Sequence, residues 1–550
     1  MVKIFRNFFN KQTNSITVAA LFVALSSLLS RLLGVFRDRI LAGQFGAGQT
    51  LDIYYSAFRI PDLLFNLLIL GALSAGFIPI FTGLIKDFRP NGSNGLFKFL
   101  NQEAWDLVNN LLNCLLVIFL LLSLLGIVFA PQIMNLIAPG FSLGERNLSV
   151  VLTRIMFLSP LFLGISGILS GVLQSFKNFL IYSLAPIFYN LGIIFGALYL
   201  VPIWGINGLA WGVVFGAALH MLIQLPAVWS LGWRYRPFLK WRDKNLLRIA
   251  RMMIPRTLSL AVAQIDLLIT TVVASTMVAG SLAIFNFANN LQSFPIGIFG
   301  ISFAVAAFPV LAASINDERR LVEYFSTTVR KILFFIIPAT VLIISLRAQI
   351  VRVILGTGAF NWQDTVLTMN VLAFFCWSLF AQALIPLQTR VFYAQHDSRT
   401  PFFIGLVTIA LDTFLSVYLG RRIGVIGLAI AYSSSNILNF ILLWLFMSKK
   451  LGDLDSVKVI KAAAKFSLAS LATALVVQLS KVMIWPYINM TKLWGVLSQG
   501  LVAGILGLLV YAGCLWLFKS EELLHFFSVV SRRLPFKKAK FEDQGEVRGI

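Results

Sequence analysis

Ionisable side chains crowd near the start of an otherwise apolar chain: Arg31, Arg37, Asp38 and Arg39, then Asp52, Arg59 and Asp62. Charges at membrane depth are costly and are kept where a cavity or a partner receives them. At the helical step of about 100° per residue, Asp52, Tyr55, Arg59, Asp62 and Asn66 fall within an arc of about 80°. On the preceding segment Ser27, Arg31, Gly34 and Asp38 share a face, with Arg37 about a quarter-turn away; a break at Gly34 would turn Arg37 inward. Planar guanidinium forks hold phosphate oxygens two at a time, so Arg31, Arg37 and Arg59 are expected to bind an anion. Asp38, Asp52 and Asp62 would orient the arginines and keep the site from binding too tightly. The competing reading is internal pairing that only locks helices together, or snorkelling to the interface. Arg39 lies closer to the following turn and is expected to be structural.

A second constellation is carboxylic. Asp266 and Asp412 sit alone in the apolar stretches Gln264-Ile-Asp-Leu and Ile409-Ala-Leu-Asp-Thr-Phe. A carboxylate there either holds a proton or coordinates a cation. Thr270 and Thr408, each one helical turn away, could add hard oxygen ligands to a Na⁺ or H⁺ site; hydrogen-bonded packing is the alternative. Arg256, after Pro255, opens the same span as Asp266 and could add positive charge to the second half. His220 reads as a packed histidine. Enzymatic signatures are missing: no zinc-type histidine cluster, no glycine-rich phosphate loop with its lysine, no serine nucleophile elbow. Asp453-Leu-Asp455 mimics a two-carboxylate metal motif of glycosyltransferases but reads as a solvated loop.

The elements that hold these residues follow from composition. Hydrophobic residues make up 58% of 550 positions and charged ones 12%, with a mean hydropathy of +0.86. A soluble domain needs a more charged surface. Apolar blocks of about twenty residues recur throughout, each long enough to cross a hydrocarbon core as a helix, and they lack the alternation of barrel strands. Fourteen spans are expected in an all-α polytopic membrane protein. The net charge of +23 is gathered in short connectors. One holds Arg234, Arg236, Lys240, Arg242, Lys244, Arg248 and Arg251, another Lys449, Lys450, Lys458, Lys461 and Lys465, whereas Gly43–Leu51, Val201–Asn207 and Val278–Ser281 carry almost none. That alternation puts both termini in the cytoplasm, sets basic loops against anionic headgroups and argues against nucleic acid. Cys114, Cys376 and Cys514 all fall in apolar blocks, so no disulfide is expected. The first block is too long for a cleavable signal and is expected to stay.

A repeat divides the chain. Leu173-Gln-Ser-Phe-Lys-Asn-Phe ahead of Pro186 matches Val391-Phe-Tyr-Ala-Gln-His-Asp ahead of Pro401, and Gly205-Ile-Asn-Gly-Leu-Ala matches Gly424-Val-Ile-Gly-Leu-Ala. Equal order over an even number of spans means two pseudo-symmetric six-helix lobes of one orientation, the arrangement of alternating-access transporters with a site between halves. The expected organisation is a cytoplasmic N-terminus (1–15), an N-lobe (16–233), a basic linker (234–245), a C-lobe (246–450), an added pair of spans (451–518) and a cytoplasmic tail (519–550). The added pair would give a lipid tail an apolar surface. Pro61, Gly71, Gly76 and Pro79 in the second span, and Pro295, Gly297, Gly300 and Pro309 in the eighth, predict kinked helices at matching places in the two halves.

Ser30-Arg-Leu-Leu-Gly-Val-Phe-Arg-Asp38, Phe45-Gly-Ala-Gly48, Asp52, Ala57-Phe-Arg-Ile-Pro61, Gly71-Ala-Leu-Ser-Ala-Gly-Phe-Ile-Pro79, Ala138-Pro-Gly-Phe141 and Phe294-Pro-Ile-Gly297 resemble the MurJ/MviN family of the multidrug/oligosaccharidyl-lipid/polysaccharide exporter superfamily, over the whole chain. The resemblance implies a lipid II flippase of the bacterial cytoplasmic (inner) membrane, acting as a monomer in the phospholipid bilayer without a cofactor beyond a Na⁺ or H⁺ coupling ion. It implies that Arg31, Arg37, Asp38, Asp52 and Arg59 line the substrate cavity, and that an ion site lies near Thr270, Thr408 and Asp412, with Asp266 one turn away. Where relatives carry basic residues this chain has Phe65, Asn66 and Asn290, so Arg256 is expected to compensate, or the first two helices to hold the pyrophosphate. The rival expectations are export of another polyprenyl-linked oligosaccharide or of drugs on the same fold, and a membrane-embedded glycan transferase or polymerase.

Overall fold

The computed structural model describes residues 16–70, 76–86 and 102–533, with backbone alone at 16–24, 70, 86, 255, 256, 258–260 and 529–533. The N-terminal segment 1–15, Gly71 and the end of the tail lie outside the described residues. In hydrocarbon, backbone amides must be satisfied within their own segment, and every regular element among the described residues is helical. In chain order these are α1 (Ile16–Phe45), α2 (Gln49–Phe65), α3 (Ile78–Lys86), α4 (Gln102–Val128), α5 (Leu143–Ser175), α6 (Phe179–Trp204), α7 (Ile206–Ser230), α8 (Lys244–Ser275), α9 (Ser281–Ala313), α10 (Glu318–Ile354), α11 (Trp362–Cys376), α12 (Leu379–Ala394), α13 (Arg399–Ile423), α14 (Val425–Leu451), α15 (Ser456–Tyr487), α16 (Leu493–Leu517) and α17 (Glu521–Arg533), with a short helix Ala130–Ile137 after α4. Ten are long and apolar enough to cross a membrane, or eleven if α11 and α12, bent by 46°, form one broken span. Among the described residues the tally therefore stops short of the expected fourteen. Among the helices left out, α1, α2 and α8 carry the Arg–Asp series and Asp266. Helix α1 runs through Gly34 without a break. The three cysteines are free.

The helices gather into two compact units. One contains the chain up to Phe294 together with Arg347–Ala381 and Asp397–Leu443, and so takes in helices from both repeat halves. Within it the repeat has a backbone signature. Gly205 (φ 59°, ψ −147°) and Gly424 (φ 63°, ψ −144°) adopt the same conformation at the junctions α6–α7 and α13–α14, a region open essentially to glycine alone. Three residues on, Gly208 and Gly427 press against the backbone of the preceding helix: an added Cβ would meet Leu200 at 2.3 Å and Leu419 at 2.5 Å. Close approach through small residues is how helices associate where lipid supplies no hydrophobic drive.

The basic connector is held down. Asn109, Asn110 and Asn113, all buried on α4, bind its backbone as a neighbouring strand would. Asn110 accepts from the Lys240 amide at 2.7 Å and donates to the Lys240 carbonyl at 2.9 Å, while Asn113 donates to the carbonyls of Arg236 and Phe238, both at 2.9 Å. Asn109 accepts from the indole N–H of Trp233 and donates to the Arg234 carbonyl, each at 3.0 Å. Asp243 then caps α8, accepting from the Leu246 amide at 2.9 Å. The cationic side chains of this strap remain exposed. Asn110→Ala strips two backbone groups of partners and is expected to cost about 1–2 kcal/mol locally. Tryptic cleavage between Arg234 and Lys244 should accelerate by about ten-fold, whereas Asn110→Asp, which keeps an acceptor for the Lys240 amide, should fall between; unchanged cleavage in Asn110→Ala would show that the clamp does not hold the strap.

The second unit comprises Pro295–Leu346, Gln382–His396 and the chain from Trp444. Here α15 and α16 pack as an antiparallel pair. Thr473 donates to the Gly507 carbonyl at 3.2 Å, where a Cβ would strike Val477 at 2.6 Å. Their outer faces are apolar and exposed, Leu471 by 64% and Leu509 by 63%, as membrane contact requires. Arg330 joins α10 to α17 through Glu522 at 2.7 Å. The expected kinks take the form of π-helical turns, Asn66–Leu70 after α2, and Ile296–Ile301 directly after Pro295 in α9. A widened turn absorbs the hydrogen bond that proline cannot donate.

Candidate functional site

The ionisable residues of α1 and α2 lie in the first unit and separate into an arginine cluster and a latch. In the cluster, Arg37 donates through Nε and Nη2 to Asp38 Oδ1 at 3.0 and 2.8 Å, and through Nη1 to Asn190 Oδ1 at 3.1 Å. Asn290 of α9 donates to the other oxygen, Asp38 Oδ2, at 2.8 Å. Asn190 is itself oriented by the Pro186 carbonyl one turn back on α6, at 3.1 Å. Of the five guanidinium N–H groups, three are used and two remain, and the Arg37 side chain is 24% exposed while that of Asp38 is 6%. On α2, Arg59 donates through Nε to the Thr271 hydroxyl of α8 and through Nη2 to Asn286 Oδ1 of α9, one turn before Asn290, both at 2.9 Å. Its partners are neutral, so its charge is oriented without being cancelled, although Asp62 lies within electrostatic reach. Asn66 donates to Asp62 at 2.9 Å. Arg31 is half-buried and makes no hydrogen bond or ion pair to any described residue.

Asp52 has a different role from the one expected. It is 4% exposed, and its two oxygens accept from the backbone amides of Gly280 and Ala283 at 2.7 and 2.8 Å. It caps the N-terminus of α9, where orphan amides and the helix dipole favour an anion, and both its oxygens are occupied with protein. Around this latch the α1–α2 turn is wedged against two others. The Ala359 amide donates to the Gly43 carbonyl at 2.8 Å, and the Ala47 amide to Asp364 at 3.3 Å. Gly280 (φ 92°) lies so close that a Cβ would stand 1.9 Å from the Ala47 carbonyl oxygen. Arg39 caps the end of α10 through the carbonyls of Val353 and Ile354, a structural role as expected. The side chain of Arg256 lies outside the described residues.

The carboxyls of Asp266 and Asp412 come close to one another between α8 and α13. Two carboxyl groups in that contact need a positive charge between them, a shared proton or a monovalent cation. Asp412 also accepts from Ser435 of α14 at 3.2 Å and from Ser416 at 3.4 Å. Thr270 and Thr408, expected as ligands, donate to backbone carbonyls of their own helices, Asp266 at 3.0 Å and Gly405 at 2.9 Å, which leaves only their lone pairs for a cation. No cluster of three His, Cys, Asp or Glu able to hold a metal occurs among the described residues.

The family model for lipid II flippase MurJ matches residues 41–502. The chain belongs to the MurJ family. The match begins after Arg31, Arg37 and Asp38 and ends within α16, a narrower span than the whole-chain resemblance implied. A probable lipid II flippase MurJ of Buchnera aphidicola subsp. Acyrthosiphon pisum is 30% identical over 428 residues, 76% of this chain and 81% of that protein. A lipid II flippase MurJ of Burkholderia cenocepacia is 28% identical over 446 residues, 78% and 84% of the two chains. Among solved structures, a MurJ lipid II flippase in an inward closed conformation superposes with a TM-score of 0.72 at 24% identity, covering 90% of this chain and 99% of that one. An inward-facing multidrug transporter of the MATE family gives 0.63 at 15% identity, covering 80% and 99%. Both share the fold. With bacterial MurJ relatives and helices of membrane-crossing length, the chain is a multi-pass protein of a bacterial inner membrane.

Several residues of this candidate site escaped the sequence reading: Asn190, Thr271 and Asn286 around the arginines, Ser416 and Ser435 around the acids. Only Asn190 and Asn286 left a trace, as amides inside apolar spans; Asn286 stands one turn before Asn290. Short hydroxyl side chains satisfy themselves on their own helix so readily that a threonine or serine carries no such signal.

Proposed function

We propose that this protein moves lipid II, the undecaprenyl-pyrophosphate-linked peptidoglycan precursor, from the cytoplasmic to the outer leaflet by alternating access, as a transporter and not an enzyme. The observation that carries the proposal is that Arg37 of α1, in the Arg37–Asp38–Asn290 constellation, and Arg59 of α2 each keep unused guanidinium donors and both lie within electrostatic reach of Tyr55. A diphosphate offers acceptors for both forks. Arg31, without a partner among the described residues, adds long-range attraction. The polyprenyl tail would lie along the exposed faces of α15 and α16. Both termini face the cytoplasm in this reading, and the protein acts as a monomer. Translocation of labelled lipid II in proteoliposomes tests it; a reconstituted parent that leaves lipid II in its original leaflet would refute it.

Asp266 and Asp412 are proposed as the coupling site, with Na⁺ or H⁺ as the charge between them and Ser416 and Ser435 as its oxygen neighbours. Asp412→Asn removes one negative charge while keeping the size and both serine contacts. Its transport should lose the response to whichever gradient, sodium or proton, drives the parent. Couplings of this kind are worth about 1–3 kcal/mol, so the stimulated rate should fall about 5- to 150-fold. A variant stimulated as strongly as the parent would exclude the pair from coupling.

A further inference from the structure

The face of α2 that carries Arg59 holds one polar group left idle so far. The Tyr55 hydroxyl is closed off from solvent and has no hydrogen-bond partner among the described residues. Its ring is fixed in place, edge-on to Phe287 of α9 at 6.3 Å and 89°, and to Tyr54 at 5.3 Å and 61°. Tyr55 stands one helical turn before Arg59 on the polar stripe, and the phenol lies within electrostatic reach of Asp38, Arg37 and Arg59. Burying a hydroxyl without a partner destabilises a fold, so phenylalanine would pack in this place at least as well. The oxygen is therefore a cost to the folded protein alone, and it is set near two guanidinium groups, Arg37 and Arg59, and the Asp38 carboxylate that Arg37 pairs.

We propose that Tyr55 contacts the substrate, its hydroxyl donating to a phosphate oxygen of the lipid-linked pyrophosphate while Arg37 and Arg59 hold the same group. This rests on the reading of the arginines as the pyrophosphate site. A phenol O–H to an anionic oxygen is a charge-assisted bond, stronger than one between neutral groups. With α1 supplying Arg37, and α2 supplying Arg59 and Tyr55, the phosphates meet donors from two helices. The neutral donor adds directional selectivity without adding charge.

The test compares the parent with Tyr55→Phe, both full-length in nanodiscs, for binding of lipid II and of undecaprenyl pyrophosphate, which lacks sugar and peptide. Loss of the hydroxyl should weaken both ligands by about ten-fold or more, with a melting temperature equal to or above the parent's. That opposition of sign separates a ligand contact from a structural one. Parental affinity for both probes overturns the proposal, as does weaker binding accompanied by a lower melting temperature. Weakening confined to lipid II moves the contact to sugar or peptide and overturns the phosphate assignment. Arg37→Ala and Arg59→Ala run in parallel: if both bind undecaprenyl pyrophosphate as the parent does, the arginine site itself fails, whereas their loss of binding beside an unaffected Tyr55→Phe sinks only the role of the phenol.

Discussion

In proteoliposomes, Arg37→Ala is expected to lower lipid II translocation by about 100-fold or more, with Arg37→Lys falling between the two. The reason is donor geometry. Asp38 and Asn190 engage three N–H groups of the guanidinium and thereby fix its plane, so the remaining pair points to one place. Lysine retains the charge and loses the plane. A loss of stability has to be separated from the loss of transport, because Arg37→Ala leaves the Asp38 carboxylate, 6% exposed, with the Asn290 amide at 2.8 Å as its remaining partner, and breaking a buried ion pair costs about 3–5 kcal/mol. Melting temperature in detergent checks that point. Translocation by Arg37→Ala at more than about a third of the parental rate would remove Arg37 from the transport mechanism.

A second large effect is expected far from the arginines. Gly280→Ala should prevent the α1–α2 turn from closing against the start of α9. The new Cβ would lie 1.9 Å from the Ala47 carbonyl oxygen, which is backbone and cannot swing aside, and the residue would have to hold φ at 92°. The left-handed conformation alone costs about 1–2 kcal/mol for an L side chain. Any retreat also pulls the Gly280 and Ala283 amides from Asp52. A penalty of about 3 kcal/mol between two states shifts their ratio by about 100-fold, so transport should fall at least ten-fold. Thiol labelling of Ala47→Cys in a Cys514→Ser background should rise in the Gly280→Ala protein. Gly34→Ala is the control, because a Cβ there meets nothing within 4 Å; it should transport normally. Parental labelling and transport in Gly280→Ala would show that closure at this turn plays no part in the cycle.

The fold was legible in the sequence because membrane helices announce themselves by length and apolarity, and because the duplicated Gly205 and Gly424 mark positions that no other residue can occupy. What the pattern could not decide was how charged helices fit among apolar ones. It placed Arg37 a quarter-turn off the polar face and invoked a break at Gly34, whereas a continuous α1 brings the guanidinium to Asn190 simply by packing against α6. The polar stripe of α2 was real, yet it hid two functions. Asp52, at its beginning, serves the neighbouring helix terminus, and Arg59, two turns on, reaches Thr271 and Asn286. Periodicity gives a direction around one helix and says nothing about what the next helix brings. Asp266 and Asp412 each read as standing alone in apolar sequence, because their approach to one another and their serine neighbours from α13 and α14 come from topology. The basic connector displayed its charge openly, while the three asparagines that fix it sit more than a hundred residues earlier.

That strap has a mechanical consequence. A tether works by paying out slack, and this one has little, since Trp233 through Lys240 is bonded to α4. Beyond it, Leu246 and Ile249 are sunk in the same core as Phe77 and Trp233, so the opening turns of α8 are anchored with the first half of the chain while Asp266, farther along the same rod, meets Asp412 of the second. Motion between these two anchor points would have to bend α8 between Ile249 and Asp266, the stretch that contains Pro255.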